Sequence, residues 1–144
     1  MSGIKNYLEV CKRYLDTTDS KVYGITATTP QLPHAIAIKS LIKSHKQHSK
    51  VILGGPHVTL IYSAYKSNKH DRSSRIKESL ENHFDCLVSG DGEKAILTAV
   101  EGDYKFIDGD DPKQSYFLTN DDYEKLPMPS RDLIDLESYH YKNP

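Results

Sequence analysis

The chain has 144 residues, 19 Lys plus Arg against 20 Asp plus Glu, and a net charge of −1. That is one domain's worth of chain, and so even a balance argues against a general nucleic-acid binder, which needs a basic excess. An apolar fraction of 37% predicts a modest core. No run approaches the ~18 apolar residues of a membrane span, and no signal-peptide apolar core opens the chain. Two cysteines, Cys11 and Cys86, have neither metal-site nor disulfide spacing, which fits a reducing cytoplasm. The charge is uneven: residues 1–100 carry 14 basic and 9 acidic side chains, residues 101–144 carry 5 and 11. One reading is two differently solvated parts of one surface. The other is a folded body followed by an acidic connector.

In chain order, Ile4, Leu8, Cys11 and Leu15 recur at helical spacing and predict an amphipathic helix over 4–15. Val22 to Ala27 is short, apolar and β-prone, the pattern of a buried parallel strand. Thr28 to Pro33 turns the chain, and Pro33 suits the first turn of a helix whose apolar face is Ala35, Ile38, Leu41 and Ile42. Val51-Ile52-Leu53 is a second strand, closed by Gly54-Gly55-Pro56. Val58–Tyr65 and residues 71–83 read as helices, the latter with Ile76 and Leu80 inward. Phe84 to Ser89 is a third strand. Gly90-Asp91-Gly92-Glu93 turns into a helix carrying Ala95, Ile96, Ala99 and Val100.

This alternation predicts a parallel sheet with helices on its faces and right-handed crossovers. After residue 102 the pattern changes. Tyr104–Ile107 and Ser115–Leu118 flank a turn-rich stretch and read as a β-hairpin. Leu126 to Pro129 is extended, and Asp132–Tyr139 is a short helix or turn. The expected division is an α/β body over 1–102 and a hairpin with an acidic connector over 103–144.

Ligands of open parallel sheets bind outside the carboxyl ends of the strands. Those ends carry Thr26-Ala27-Thr28-Thr29, Gly54-Gly55-Pro56-His57 and Gly90-Asp91-Gly92-Glu93. Small residues let a bulky ligand approach the backbone, threonine hydroxyls supply hydrogen bonds, and the helix starts behind the loops supply free N–H groups. Each loop taken alone is also ordinary turn chemistry.

In this order, "YGITATTPQLPHAIAIKSLIK", "VILGGPHVT", "FDCLVSGDGEKAI" and "LPMPSRDLIDLESYHY" resemble the cobalamin-binding domain that precedes the catalytic barrel of cobalamin-dependent radical SAM enzymes. The resemblance covers roughly residues 4–140. It implies a flavodoxin-like doubly wound sheet, with a corrin on the carboxyl rim and the nucleotide tail in a slot of the sheet. It assigns Thr26, Ala27, Thr28 and Thr29 to the loop that contacts the tail, with Thr26 and Thr28 best placed. Gly54 and Gly55 make room for the tail, Pro56 and His57 follow them, and Gly90, Asp91, Gly92 and Glu93 form the turn after the last strand. The motif Asp-x-His-x-x-Gly, whose histidine is the lower axial ligand, is absent here, as it is from many radical SAM members. The Cys-x-x-x-Cys-x-x-Cys iron–sulfur motif is absent too. The family's opening strand, helix and second strand have no counterpart, so the sheet is expected to be incomplete on its N-terminal side, with strand 22–27 at an open edge.

Beside that reading stand local ones. His57 either faces the corrin or caps its helix. His45 and His48 share a predicted helix at i, i+3, a spacing that could hold a metal, but with no acidic or Cys partner nearby they read as a solvated face. Cys11 and Cys86 are core residues. Glu93 either binds a ligand hydroxyl or stabilises a helix N-terminus. Tyr104, Phe106, Tyr116 and Phe117 pack the hairpin. No nucleophile–base set or metal cluster is visible, so catalysis by this chain alone is not expected. The leading expectation is a cytoplasmic cobalamin-binding domain that positions the cofactor for a radical SAM catalytic chain or domain. The alternative is a non-binding remnant or interaction domain that docks a partner chain.

Overall fold

Val51, Ile52 and Leu53 are all buried, as happens where both faces of a strand are covered. The computed structural model describes residues 3–68 and 71–130. In it these three residues lie in β2 (Lys50–Gly54), an inner strand of a four-stranded sheet. β1 (Val22–Thr26) flanks β2 on one side and β3 (Cys86–Ser89) on the other, with β4 (Phe106–Asp108) beyond β3. All pairings are parallel, with Val22 level with Lys50, Leu53 with Leu87, and Leu87 with Phe106. The helices are α1 (Gly3–Thr17), α2 (Leu32–His45), α3 (Pro56–Asn68), α4 (Asp71–His83), α5 (Gly92–Glu101) and α6 (Asn120–Lys125). The protein is an α/β fold of the Rossmann-like, flavodoxin-like kind. Among the described residues no helix is long and apolar enough to cross a membrane.

Strand alternation sorts the core into two layers. Val51, Leu53 and Leu87 meet Ala35 and Ile42 of α2, Val58 of α3 and Leu80 of α4, with Leu15 of α1 in the same cluster. Ile52, Cys86, Val88 and Ile107 face the other way, onto Ala95 and Ala99 of α5. Each large side chain so buried contributes about 1.5–3 kcal/mol. Strand order follows the sequence while α5 lies opposite α2, α3 and α4. The β3–β4 connection therefore has the opposite hand to the two before it, a departure from the uniform crossovers expected above.

A polar clamp ties α2 to the sheet. Asp85 accepts hydrogen bonds from the Val51 N–H and from Lys43 Nζ of α2, both at 2.7 Å. Burial pushes its carboxyl up. The Lys43 bond, the Val51 bond and the charges of Lys43 and Lys105 outweigh burial and hold it below its ordinary value.

The hairpin expected after residue 102 does not form. Phe106 and Ile107 instead add a fourth parallel strand to β3, with Leu87 N–H donating to Lys105 O and Gly109 N–H to Ser89 O. The reason is that this segment has an apolar residue for each face. Phe106 packs on Tyr62 of α3 at 4.3 Å between ring centroids, and Ile107 is buried with α5. Gln114 N–H and Phe117 N–H close local turns, so Ser115–Leu118 has no ladder and Tyr104, Tyr116 and Phe117 no hairpin to pack. The stretch Asp132–Tyr139 lies outside the described residues.

Candidate functional site

The three loops at the strands' carboxyl ends are wired to one another. Ala27 N–H donates to Gly54 O at 3.2 Å, and His57 N–H donates to Ala27 O at 3.0 Å. Thr59 Oγ1, one turn into α3, accepts from Gly90 N–H at 3.0 Å. Gly55 takes φ +91°, and a Cβ there would strike Thr26 Oγ1. Gly90 takes φ +70°, and a Cβ there would strike the Asp110 carboxylate. Both are positions where L side chains are strained, so these two glycines are required by the turns themselves.

Beside them, on the α5 face, is a slot of about 290 Å³. Gly24, Thr26 and Gly54 form one wall, Ile52 and Val88 the floor, and Gly92 and Ile96 of α5 the far wall. Gly24 and Gly92 differ from the turn glycines, because a Cβ on either would meet nothing within 4 Å among the described residues. A glycine inside a strand weakens it and often marks close approach of a ligand. Gly24 is such a residue, and the space its missing side chain leaves opens into the slot.

The rim threonines divide. Thr28 spends its N–H and its hydroxyl on Gln31 Oε1, each at 2.9 Å. Thr29 Oγ1 lies 3.0 Å from His57 Nδ1. Thr26 makes no side-chain hydrogen bond among the described residues, and its hydroxyl borders the slot. Ala27 is buried and serves through its backbone.

His57 does not line the slot. It is 5% exposed, on the α3–α4 side, where it borders a separate hollow with Arg72 and Ile76. Its Nε2 is buried without a hydrogen-bond partner among the described residues, and burial holds its pKa below the ordinary 6.5. Pro56 begins α3. Glu93 is exposed in the first turn of α5, where a carboxylate suits the helix dipole. Asp91 turns away from the slot. Its carboxylate accepts from Tyr123 Oη of α6, and its N–H donates to Asp110 Oδ1 at 3.1 Å.

The slot thus brings together Thr26, Gly54, Gly55, Gly90 and Gly92 from the sequence reading, and leaves Ala27, Thr28, Thr29, Pro56, His57, Asp91 and Glu93 outside its lining. Sequence reasoning missed Gly24, Ile25, Ile52, Val88 and Ile96. Gly24 carried a readable signal, a glycine inside an apolar strand, whereas the other four read as core. Cys86 is buried and Cys11 half-buried. His45 and His48 are both exposed, and α2 ends at His45, so they do not share a helix. Among the described residues no group of three or more His, Cys, Asp or Glu side chains is arranged to hold a metal ion.

No family model matches the chain, and no solved structure does. Among curated proteins it is 25% identical over 133 residues to PH0819 of Pyrococcus horikoshii, described as an uncharacterized methyltransferase. The match covers 84% of this chain, and the chain spans about a quarter (26%) of that relative's length.

Proposed function

We propose that this chain is a cobalamin-binding domain of the radical SAM type, cytoplasmic, which positions the cofactor and does not carry out catalysis alone. The carrying observation is the slot at the carboxyl rim, where Gly24 and Gly92 leave room that no packing contact of the fold requires. Its mostly apolar lining suits a flat heteroaromatic group such as the cofactor's nucleotide base. Gly24, Thr26, Gly54 and Gly92 would hold that base, with the Thr26 hydroxyl free to bond its polar edge. Thr28, Thr29 and Glu93 border the rim above, where the corrin would lie. His57 is committed to Thr29 and would support that rim from below. When bound, cobalamin supplies a cobalt centre that carries an alkyl group. The protein's part is to seat it, and a radical SAM catalytic chain or domain would be the partner.

The test is a hydroxocobalamin titration of the purified chain, then desalting and a visible absorption spectrum. Stoichiometric retained corrin is expected. A protein spectrum free of corrin, from a chain that circular dichroism shows folded, would overturn the proposal.

A further inference from the structure

The two edges of the sheet are built differently. β4 has three residues, follows Lys105 and contains Asp108, which is tied to Lys66 at 3.0 Å, so it is short and charged, as protected edges are. β1 has five residues, VYGIT, with no charge, proline or bulge. Its ladder with β2 uses Lys21 O and Ala27 N–H at the two ends. Parallel strands alternate their hydrogen-bonding direction with period two. The N–H and C=O groups of Val22, Gly24 and Thr26 therefore point away from β2, along an edge that no strand of the described residues pairs.

Beside that edge α1 overhangs an apolar groove of about 310 Å³, lined by Cys11, Tyr14, Tyr23, Ile25 and Ile38. Val10 and Tyr14 at its lip are 51% and 64% exposed, and the Tyr23 hydroxyl is buried without a hydrogen-bond partner among the described residues. A lipid or a small apolar molecule would fill the groove and leave the backbone groups unpaired. A helix would cover the groove but could not continue the ladder. An extended strand satisfies both, by pairing with Val22, Gly24 and Thr26 while its alternate side chains enter beneath α1.

We infer that the β1 edge docks an extended strand of a partner polypeptide, apolar at alternate positions, as a fifth strand of the sheet. The relative of Pyrococcus horikoshii carries most of its length outside the matched stretch, so in that protein there is chain from which such a strand could come. This inference does not depend on what the slot binds.

The test uses the intact chain without cobalamin and a fluorescein-labelled heptapeptide of alternating valine and threonine with a lysine at each end. Fluorescence anisotropy reads binding and hydrogen exchange reads single amides. Saturable binding is expected, with protection of the Val22, Gly24 and Thr26 amides rising at least about tenfold while Tyr23 and Ile25, already paired, stay unchanged. Val22→Pro removes one edge donor at a strand's first residue, where proline is tolerated. It should weaken binding about tenfold with the circular dichroism spectrum unchanged. Equal protection of all five amides in the free monomer would overturn the inference, as would absence of binding up to about 1 mM peptide. Edge protection that grows with protein concentration alone, with a dimer in sedimentation, would assign the edge to a second copy and overturn the partner strand.

Discussion

Gly24 and Gly55 lack side chains for different reasons, and the difference separates folding from binding. Gly55 sits at positive φ against Thr26, so Gly55→Ala should destabilise the fold by at least about 1–2 kcal/mol. Gly24 has ordinary strand neighbours and open space. Gly24→Val should therefore leave stability unchanged or raise it by about 0.5–1 kcal/mol, while cobalamin retention drops at least about tenfold because the slot is filled. Thermal melts beside retention spectra check the pair, and a Gly24→Val protein that binds normally would remove the slot from the proposed function. His57 gives a pH signature of its own. Its folded pKa lies below 6.5 because burial disfavours the cation. The unfolded chain then binds a proton that the folded chain refuses, and stability falls as pH drops below 6.5. Melting temperatures of the wild type should decline as pH falls below 6.5, whereas His57→Leu should flatten that decline. Its stability at pH 7.5 should shift by less than about 1 kcal/mol, since Thr29 is exposed and bonds water instead.

Elements were legible where one periodicity dominated. The three apolar runs at 22–27, 51–53 and 84–89 became β1, β2 and β3 within about two residues; β2 and β3 are buried, as unbroken apolar parallel strands are, whereas β1, read as buried, is a half-exposed edge strand with β2 as its one described neighbour. The helices at 4–15 and 71–83 followed from their apolar stripes, with Leu80 buried as expected. The fourth strand was not legible. Tyr104 to Ile107 alternates much as half of a hairpin would, and only a tertiary contact, Phe106 on Tyr62, decides that it joins β3. The slot was half legible for the same reason. Its glycine loops stand out in the sequence, but Ile52, Val88 and Ile96 read as core, and only the placement of α5 opposite α2 shows that they line a hollow. His57 illustrates the converse: its loop was found, and the side chain turns to the opposite layer to meet Thr29.

At the scale of the whole molecule, the split between a basic body and an acidic C-terminal part becomes an internal attachment. Asp108 pairs with Lys66 of α3 at 3.0 Å, and Asp122 of α6 pairs with Lys94 of α5 at 2.7 Å. Asp110 and Tyr123 bind the backbone and side chain of Asp91. Residues 108–125 thus strap the third rim loop to the body through charge at an exposed surface, where salt screens such pairs over about 8–10 Å. The carboxylate of Asp122 also accepts from the Thr119 N–H and hydroxyl, and the Lys94 bond, first among these, holds its pKa far below the usual carboxylate range. Removing it takes away the α6 cap and the cross-link to α5 together. Asp122→Ala should therefore speed hydrogen exchange across 119–125 and at Asp91 while leaving β2 and β3 at wild-type protection. Raising salt should speed exchange over the same residues in the wild type, because screening loosens the Lys94 pair, and should change the variant much less. Uniformly faster exchange through the sheet in Asp122→Ala would show that the strap belongs to the core's cooperative unit, and the charge asymmetry would then be a feature of folding and not of the rim.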